Sequence, residues 1–315
     1  MKIVSCFSRL SEIAPLASAG ADELYCAAAD IPSYGHGALR GNLRSAAKAA
    51  HALNLKLSLA VNSMLLTYSK REMTDFAGRL TRAADDGADS FIVASPSVFT
   101  LLKELKNPPS VPIHLSSTQP CFNSRAARYF IRLGVSRLIL PSQVSALEAG
   151  AILRECRAAG VETEIFDYRF FGCVYVNGRC NLHDPIFHTF TRGKEGAELC
   201  RCGGGAAGTL RVKAERVSPG RAAGAPALAR RIYARMSCGG PPRIMNAASF
   251  HDFFSMGTGY LKYGTRRDPS EVKIGKVKEL RAMLDLAEDQ AKKLPPKAAR
   301  AAFINRMTGW RGGGF

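Results

Sequence analysis

The chain is short of several things, and each shortage narrows what it can be. No apolar run is long enough to cross a bilayer. The N-terminus, MKIVSCFSRL, lacks the long apolar segment and small-residue cleavage site of an export signal. The nine cysteines are odd in number, so without an export signal they point to a reducing cytoplasm and away from a disulfide framework. Neither HExxH nor GxSxG occurs, which removes two common marks of a hydrolytic site. Acidic residues are scarce: 26 Asp and Glu face 44 Lys and Arg, for a net charge of +18. The imbalance is steepest in residues 206–315, with 21 Lys/Arg against 8 Asp/Glu. A phosphate-tracking surface needs such charge, so RNA is an expected partner; a solvated basic face accounts for it equally well.

What is present is a regular alternation. β-rich apolar runs occur at KIVSCFS, ELYCAA, KLSLAVNS, SFIVAS, IHLSST, RLILPS, ETEIFDY and YLKYGT. Segments with helical apolar spacing follow most of them, ending in a long helix over VKIGKVKELRAMLDLAEDQAKK. Repeated βα units imply a parallel sheet, and eight of them suggest an α/β fold closed into a (β/α)8 TIM barrel, with an open doubly wound sheet as the alternative. Glycines in AGADEL, DGADSF, LGVSRL and AGVETE are placed to cap helices just before the next strand. The barrel is expected over residues 1–291. Residues 292–315, KKLPPKAARAAFINRMTGWRGGGF, read as a basic, partly flexible tail whose Trp310 docks on the barrel or stacks on a base.

Cysteines concentrate in residues 166–240, between the seventh and eighth strands. Cys173, Cys180, Cys200 and Cys202 lie close together, and Cys238 follows an Ala/Gly/Arg-rich interval. Thiolates are soft ligands that suit an iron–sulfur cluster or zinc, and a cluster normally takes four. These ligands are too dispersed for a zinc ribbon or a ferredoxin run, so the fold must assemble the site. Unrelated free thiols are the plain alternative.

The segment CVYVNGRC, a C-x6-C pair with Gly-Arg before the second cysteine, resembles the U-32 peptidase family, also called collagenase-like peptidases. Three further stretches agree in order: AGADELYCA, HLSSTQPCFNSRAARYFIRLGVSRLIL and YLKYGTRRDPSEVK. The resemblance implies a TIM-barrel-like fold. It also implies either the family's nominal peptidase activity or oxygen-independent hydroxylation of tRNA uridine, ribosomal RNA cytidine or ubiquinone precursors. For the hydroxylation members it implies a 4Fe-4S cluster and prephenate as oxygen donor. Carried onto this chain, the ligands become Cys173, Cys180, Cys200 and Cys238, with Cys202 as the alternative to Cys200 and Cys26 a further candidate. Two family features are missing. Bulky residues replace His-Gly before the first cysteine (FDYRFFGC), and PSQV, with Ser142 and Gln143, replaces Ser-Arg-Glu. The losses suggest a changed substrate or lost activity.

The candidate catalytic residues are Lys262 and Arg266, cations from the eighth strand expected at the barrel mouth, where they would bind a carboxylate-bearing donor or pair off to close the barrel. Ser117, Thr118, Gln119 and Asn123, after the fifth strand, would orient substrate through neutral hydrogen bonds. His114 is expected on strand five, and His183, His188 and His251 in loops without a base's partner. A non-catalytic reading also stands: a cluster-bearing or zinc-stabilised scaffold that pairs with a second U-32 family protein, with Phe170 and Phe171 in the interface.

Overall fold

All eight β-rich runs become parallel strands that close into a barrel in the computed structural model, which describes residues 1–34, 38–63, 69–105, 108–167, 169–170, 243–244, 247–264, 266 and 268–308. In chain order, β1 (Lys2–Cys6), β2 (Glu23–Cys26), β3 (Lys56–Val61), β4 (Ser90–Val93), β5 (Ile113–Leu115), β6 (Arg137–Ile139) and β7 (Glu162–Phe166) each pair with the next. Two short strands follow, β8 (Arg169–Phe170) and β9 (Arg243–Ile244), and then β10 (Tyr260–Tyr263). Parallel pairing of β10 with both β7 and β1 completes the ring. The closed barrel, not the open sheet, is the observed alternative.

Among the described residues the α-helices are α1 (Ile13–Ser18), α2 (Leu43–His51), α3 (Lys70–Asp85), α4 (Pro96–Glu104), α5 (Ser124–Arg132), α6 (Ala146–Ala158), α7 (Ala247–Ser255), α8 (Ser270–Lys293) and α9 (Pro296–Thr308). Local chemistry sets several starts. Ser69 with Glu72, and Ser145 with Glu148, form reciprocal capping boxes at α3 and α6. Asn42 and Asn123 accept backbone N–H bonds from Ser45 and Ala126. The four glycines expected to turn helices back into strands, Gly20, Gly87, Gly134 and Gly160, all have positive φ. Gly87 is doubly constrained: its φ is +101°, and a Cβ there would lie 2.8 Å from the Ala47 methyl.

Within the stretch expected as a basic, partly flexible tail, the described residues are largely helical. Residues 296–308 form α9, whose Ala299, Phe303 and Met307 recur every four residues and are buried. Phe303 stacks on Phe250 of α7, 5.5 Å between ring centroids, and Arg300 holds Asp252 of α7 with both ends of its guanidinium. Trp310 lies outside the described residues. Residues 168–245 separate from the barrel as a second unit, of which the described part is the antiparallel pair β8–β9. Cys173, Cys180, Cys200, Cys202, Cys238 and Phe171 fall outside the described residues, as do His183 and His188. Among the described residues no helix is long and apolar enough to cross a membrane.

Candidate active site at the barrel mouth

Strand alternation sends every second side chain into the barrel, and here many of those are charged or polar. Glu23, Arg137, Glu162 and Glu164 sit toward the strand starts. The Arg137 guanidinium meets Glu23 through two bonds of 3.0 and 2.9 Å, Glu164 at 3.0 Å and Glu162 at 2.9 Å. Its face lies 3.5 Å from the Tyr260 ring centre, and the Tyr260 hydroxyl donates to Glu162. Ser58 donates to Glu23 and meets Ser90, which faces His114 Nδ1 at 3.5 Å. Burial opposes the charge of Glu164, but Lys262 and Arg137 outweigh it and hold the carboxyl below its ordinary value. Burial, with Arg137, Lys262 and Lys56 nearby, holds the His114 imidazole well below 6.5.

Lys262 stands above this layer on β10. It is 3 % exposed, donates to Glu164 at 2.8 Å, and lies 4.1 Å from the Tyr25 ring centre. Of its two expected roles, ion pairing inside the barrel is the one its geometry serves, with Glu164 and not Arg266 in the pair. Arg266 is different. It is 8 % exposed, and its Nη2 donates to the carbonyl of Tyr34 in the connection after β2. Its Nη1 is buried with no acceptor, and among the described residues no carboxylate pairs with it. An unmade hydrogen bond of this kind costs about 1–3 kcal/mol, and more for a charged group.

The Tyr34 segment that receives Arg266 is held from the other side. Its N–H donates to Asn62 Oδ1 beyond β3, and Asn62 Nδ2 donates to Ser116 Oγ beyond β5 at 3.2 Å. Ser116 in turn meets the Thr118 hydroxyl at 3.0 Å, and its carbonyl accepts the Gln119 N–H. A polar chain thus crosses the C-terminal ends of the strands, where barrel active sites are built. Ser117, Thr118 and Gln119 lie in this turn as expected, with Ser117 buried. Asn123 serves instead as the cap of α5. Asn62, Ser116 and Tyr34 were not among the expected site residues. Asn62 and Ser116 each follow a strand immediately, and that position was the signal available.

Of the other thiols, Cys6 and Cys26 end β1 and β2, while Cys121 and Cys156 lie among the helices and loops; all four are buried. Burial pushes each of them up to about 12, and for Cys6 it outweighs Lys273, Arg266 and Lys262. Below Cys6 the chain is clamped. Glu12 accepts from Ser8 N–H, the Ser270 hydroxyl and the fully buried Lys273 ammonium, tying the loop after β1 to the first turn of α8. His114 is on β5 as expected. His251 is not in a loop: it is buried in α7, its Nδ1 facing the Ser255 hydroxyl, because Phe250 and Phe253 give that stretch an apolar helical face.

Among the described residues, the basic end of α8 and the start of α9 lie away from the mouth. α8 begins beside Ser8 and Glu12, passes Gly20 and Asp22 through Arg281, and reaches the N-terminal amine through Glu288. Exposed Lys292, Lys293 and Lys297 therefore lie by the strands' N-terminal ends.

Residues 8–203 match the sequence profile of peptidase family U32. Over 131 residues the chain is 31% identical to tRNA hydroxylation protein P of Helicobacter pylori (strain ATCC 700392 / 26695), covering 42% of this chain and 29% of that protein. Over 145 residues it is 28% identical to tRNA hydroxylation protein P of Escherichia coli (strain K12), covering 46% and 30%. The matched stretch thus spans under a third of these relatives' length. Among solved structures, a U32 peptidase, Mk0906, is 14% identical with a TM-score of 0.42, covering 53% of this chain and 68% of that one. With the family profile matched over more than half of its residues, the chain belongs to peptidase family U32.

Proposed function

We propose that this chain is an iron–sulfur enzyme that hydroxylates RNA without molecular oxygen, with tRNA as the substrate class. The observation that carries the reading is the similarity of this chain to proteins named for tRNA hydroxylation. The donor set is compatible with a 4Fe-4S cluster. The resemblance to the family implies Cys173, Cys180, Cys238 and one of Cys200 and Cys202 as the thiolates that would hold it, with Cys26 a further candidate. When bound, the cluster would supply an iron site able to polarise an oxygen-bearing group of a donor of the prephenate type. The chain's own part is positioning. Glu164 fixes Lys262, and the polar chain through Asn62 and Ser116 presents hydrogen-bonding groups at the strand ends.

The test is an anaerobic purification with iron, sulfide and zinc analysis and an absorption spectrum. Mass spectrometry of tRNA nucleosides from a deletion strain, with and without the gene restored, accompanies it. The expected result is about four irons and four sulfides per chain, lost in Cys173→Ala and Cys238→Ala, and a hydroxylated nucleoside that disappears with the gene. One zinc without a visible chromophore overturns the redox part of the reading. An unchanged tRNA profile overturns the substrate class and directs attention to a peptidase assay or to a second U32 chain as partner.

A further inference from the structure

We infer that the outward face of α5 is a docking surface for single-stranded RNA, built from Arg125, Tyr129 and Arg132 with Phe122 at its mouth end. RNA as the partner rests on the proposed function; the surface adds where that RNA would lie.

α5 is charged against its own stability. Its nine residues hold three arginines and no acidic side chain. Arg125 lies in the first turn, where the helix dipole favours a negative group, and α3, α6 and α8 each place a glutamate there. Arg128 is three residues from Arg125 and four from Arg132, so like charges adjoin along the helix. Arg128 is compensated, because it donates to Glu155 of α6 at 2.7 Å. Arg125 and Arg132 are exposed, and among the described residues no carboxylate pairs with either.

Aromatic rings interleave with these cations. Tyr129 is 49 % exposed, and its place four residues after Arg125 and three before Arg132 puts it on their face. The helical rise sets the two arginines about 10 Å apart along the axis, with the ring between them. Phe122, 43 % exposed, precedes the Asn123 cap and lies three residues beyond Gln119 in the turn at the strand ends.

That combination selects among anionic partners. Free guanidinium groups complement phosphate, and a half-exposed ring offers a base a face to stack on. Stacking of this kind requires an unpaired base, so the strand that fits is single. A bilayer surface would call for a continuous apolar face, which the arginines interrupt. The basic C-terminal helices lack the pairing of cation and ring: in α8 and α9 the one aromatic side chain, Phe303, is buried.

The test is fluorescence anisotropy of the full chain with a short labelled single-stranded RNA, titrated at several salt concentrations. Tyr129→Ala should bind about 5- to 100-fold more weakly with the salt dependence unchanged, and Tyr129→Phe within about twofold of the parent. Arg125→Gln combined with Arg132→Gln should flatten the slope of log K against log salt by about 1.4, the loss of two phosphate contacts. Lys292→Gln combined with Lys297→Gln removes the same charge elsewhere and should leave affinity within about twofold. Circular dichroism checks that all four variants fold. The inference is overturned if the parent shows no saturable RNA binding, if the lysine pair loses as much as the arginine pair, or if binding survives Tyr129→Ala and the arginine pair alike. Variants that lose phosphatidylserine vesicles but keep RNA would overturn it in favour of a membrane. RNA binding that depends on this face, beside an unchanged tRNA profile in the deletion strain, leaves the surface standing while the hydroxylation reading falls. A hydroxylated nucleoside restored in full by the same variants, with their RNA binding unchanged, does the reverse.

Discussion

Replacing Arg137 by methionine strikes the most heavily used charge in the barrel. The guanidinium serves Glu23, Glu164 and Glu162 together, and the first two carboxylates are buried. After the change Glu164 keeps Lys262, but Glu23 keeps only the Ser58 hydroxyl. Removing one member of a buried ion pair costs about 3–5 kcal/mol, because the stranded charge stays buried. A domain's whole stability is about 5–15 kcal/mol, so this one side chain carries a large share. The double variant Arg137→Met with Glu23→Gln removes the stranded charge and lets the amide oxygen accept from Ser58. It should therefore be more stable than Arg137→Met alone, by about 1–3 kcal/mol. Urea unfolding at pH 7, followed by circular dichroism, measures both if the m-value is unchanged. A loss below about 1 kcal/mol in Arg137→Met, or a double variant weaker than the single, would refute the reasoning.

Other outcomes follow from single features. Because the His114 imidazole is held well below 6.5, the unfolded chain takes up a proton below that pH while the folded chain does not. Stability should fall by about 1.4 kcal/mol per pH unit from pH 6.5 down to the folded value, and His114→Asn should flatten that slope in urea midpoints taken between pH 5 and 7. Gly87→Ala forces a methyl against Ala47 at a positive φ and should cost about 1–3 kcal/mol, read as a lower thermal midpoint. Of Cys200→Ala and Cys202→Ala, only one should abolish the visible absorption of the anaerobic protein, which identifies the third ligand.

Most of the barrel was legible because its signals are local. Strands such as SFIVAS and capped helices such as Ser145–Glu148 announce themselves within a few residues. α9 was missed because Pro295-Pro296 reads as a breaker, although a proline in the first turn starts a helix as readily as it stops one. That Lys262 would pair was legible, but its partner was not. Its partner Glu164 is far away in the chain, and only closure of β10 on β7 brings the two together. The alternation of Glu162 and Glu164 in ETEIF did carry a signal, since charges at period two in a barrel strand point to a polar interior. Arg266 was chosen for its place after a strand. That placement reaches the mouth, but the missing acceptor at Nη1 is a three-dimensional fact.

The order of the strands has a consequence for synthesis. β10 is the last barrel strand in the chain, and residues 168–245 must be made before it. Until then β1 and β7 are open edges, each a row of unpaired backbone groups able to recruit another chain. Glu164 waits on the nascent sheet without its ammonium partner. One short strand, four residues long, thus seals two edges and brings a buried carboxylate its ammonium partner in the same event. A ribosome stalled inside the intervening segment would hold a protein that is nearly all barrel and still prone to aggregate.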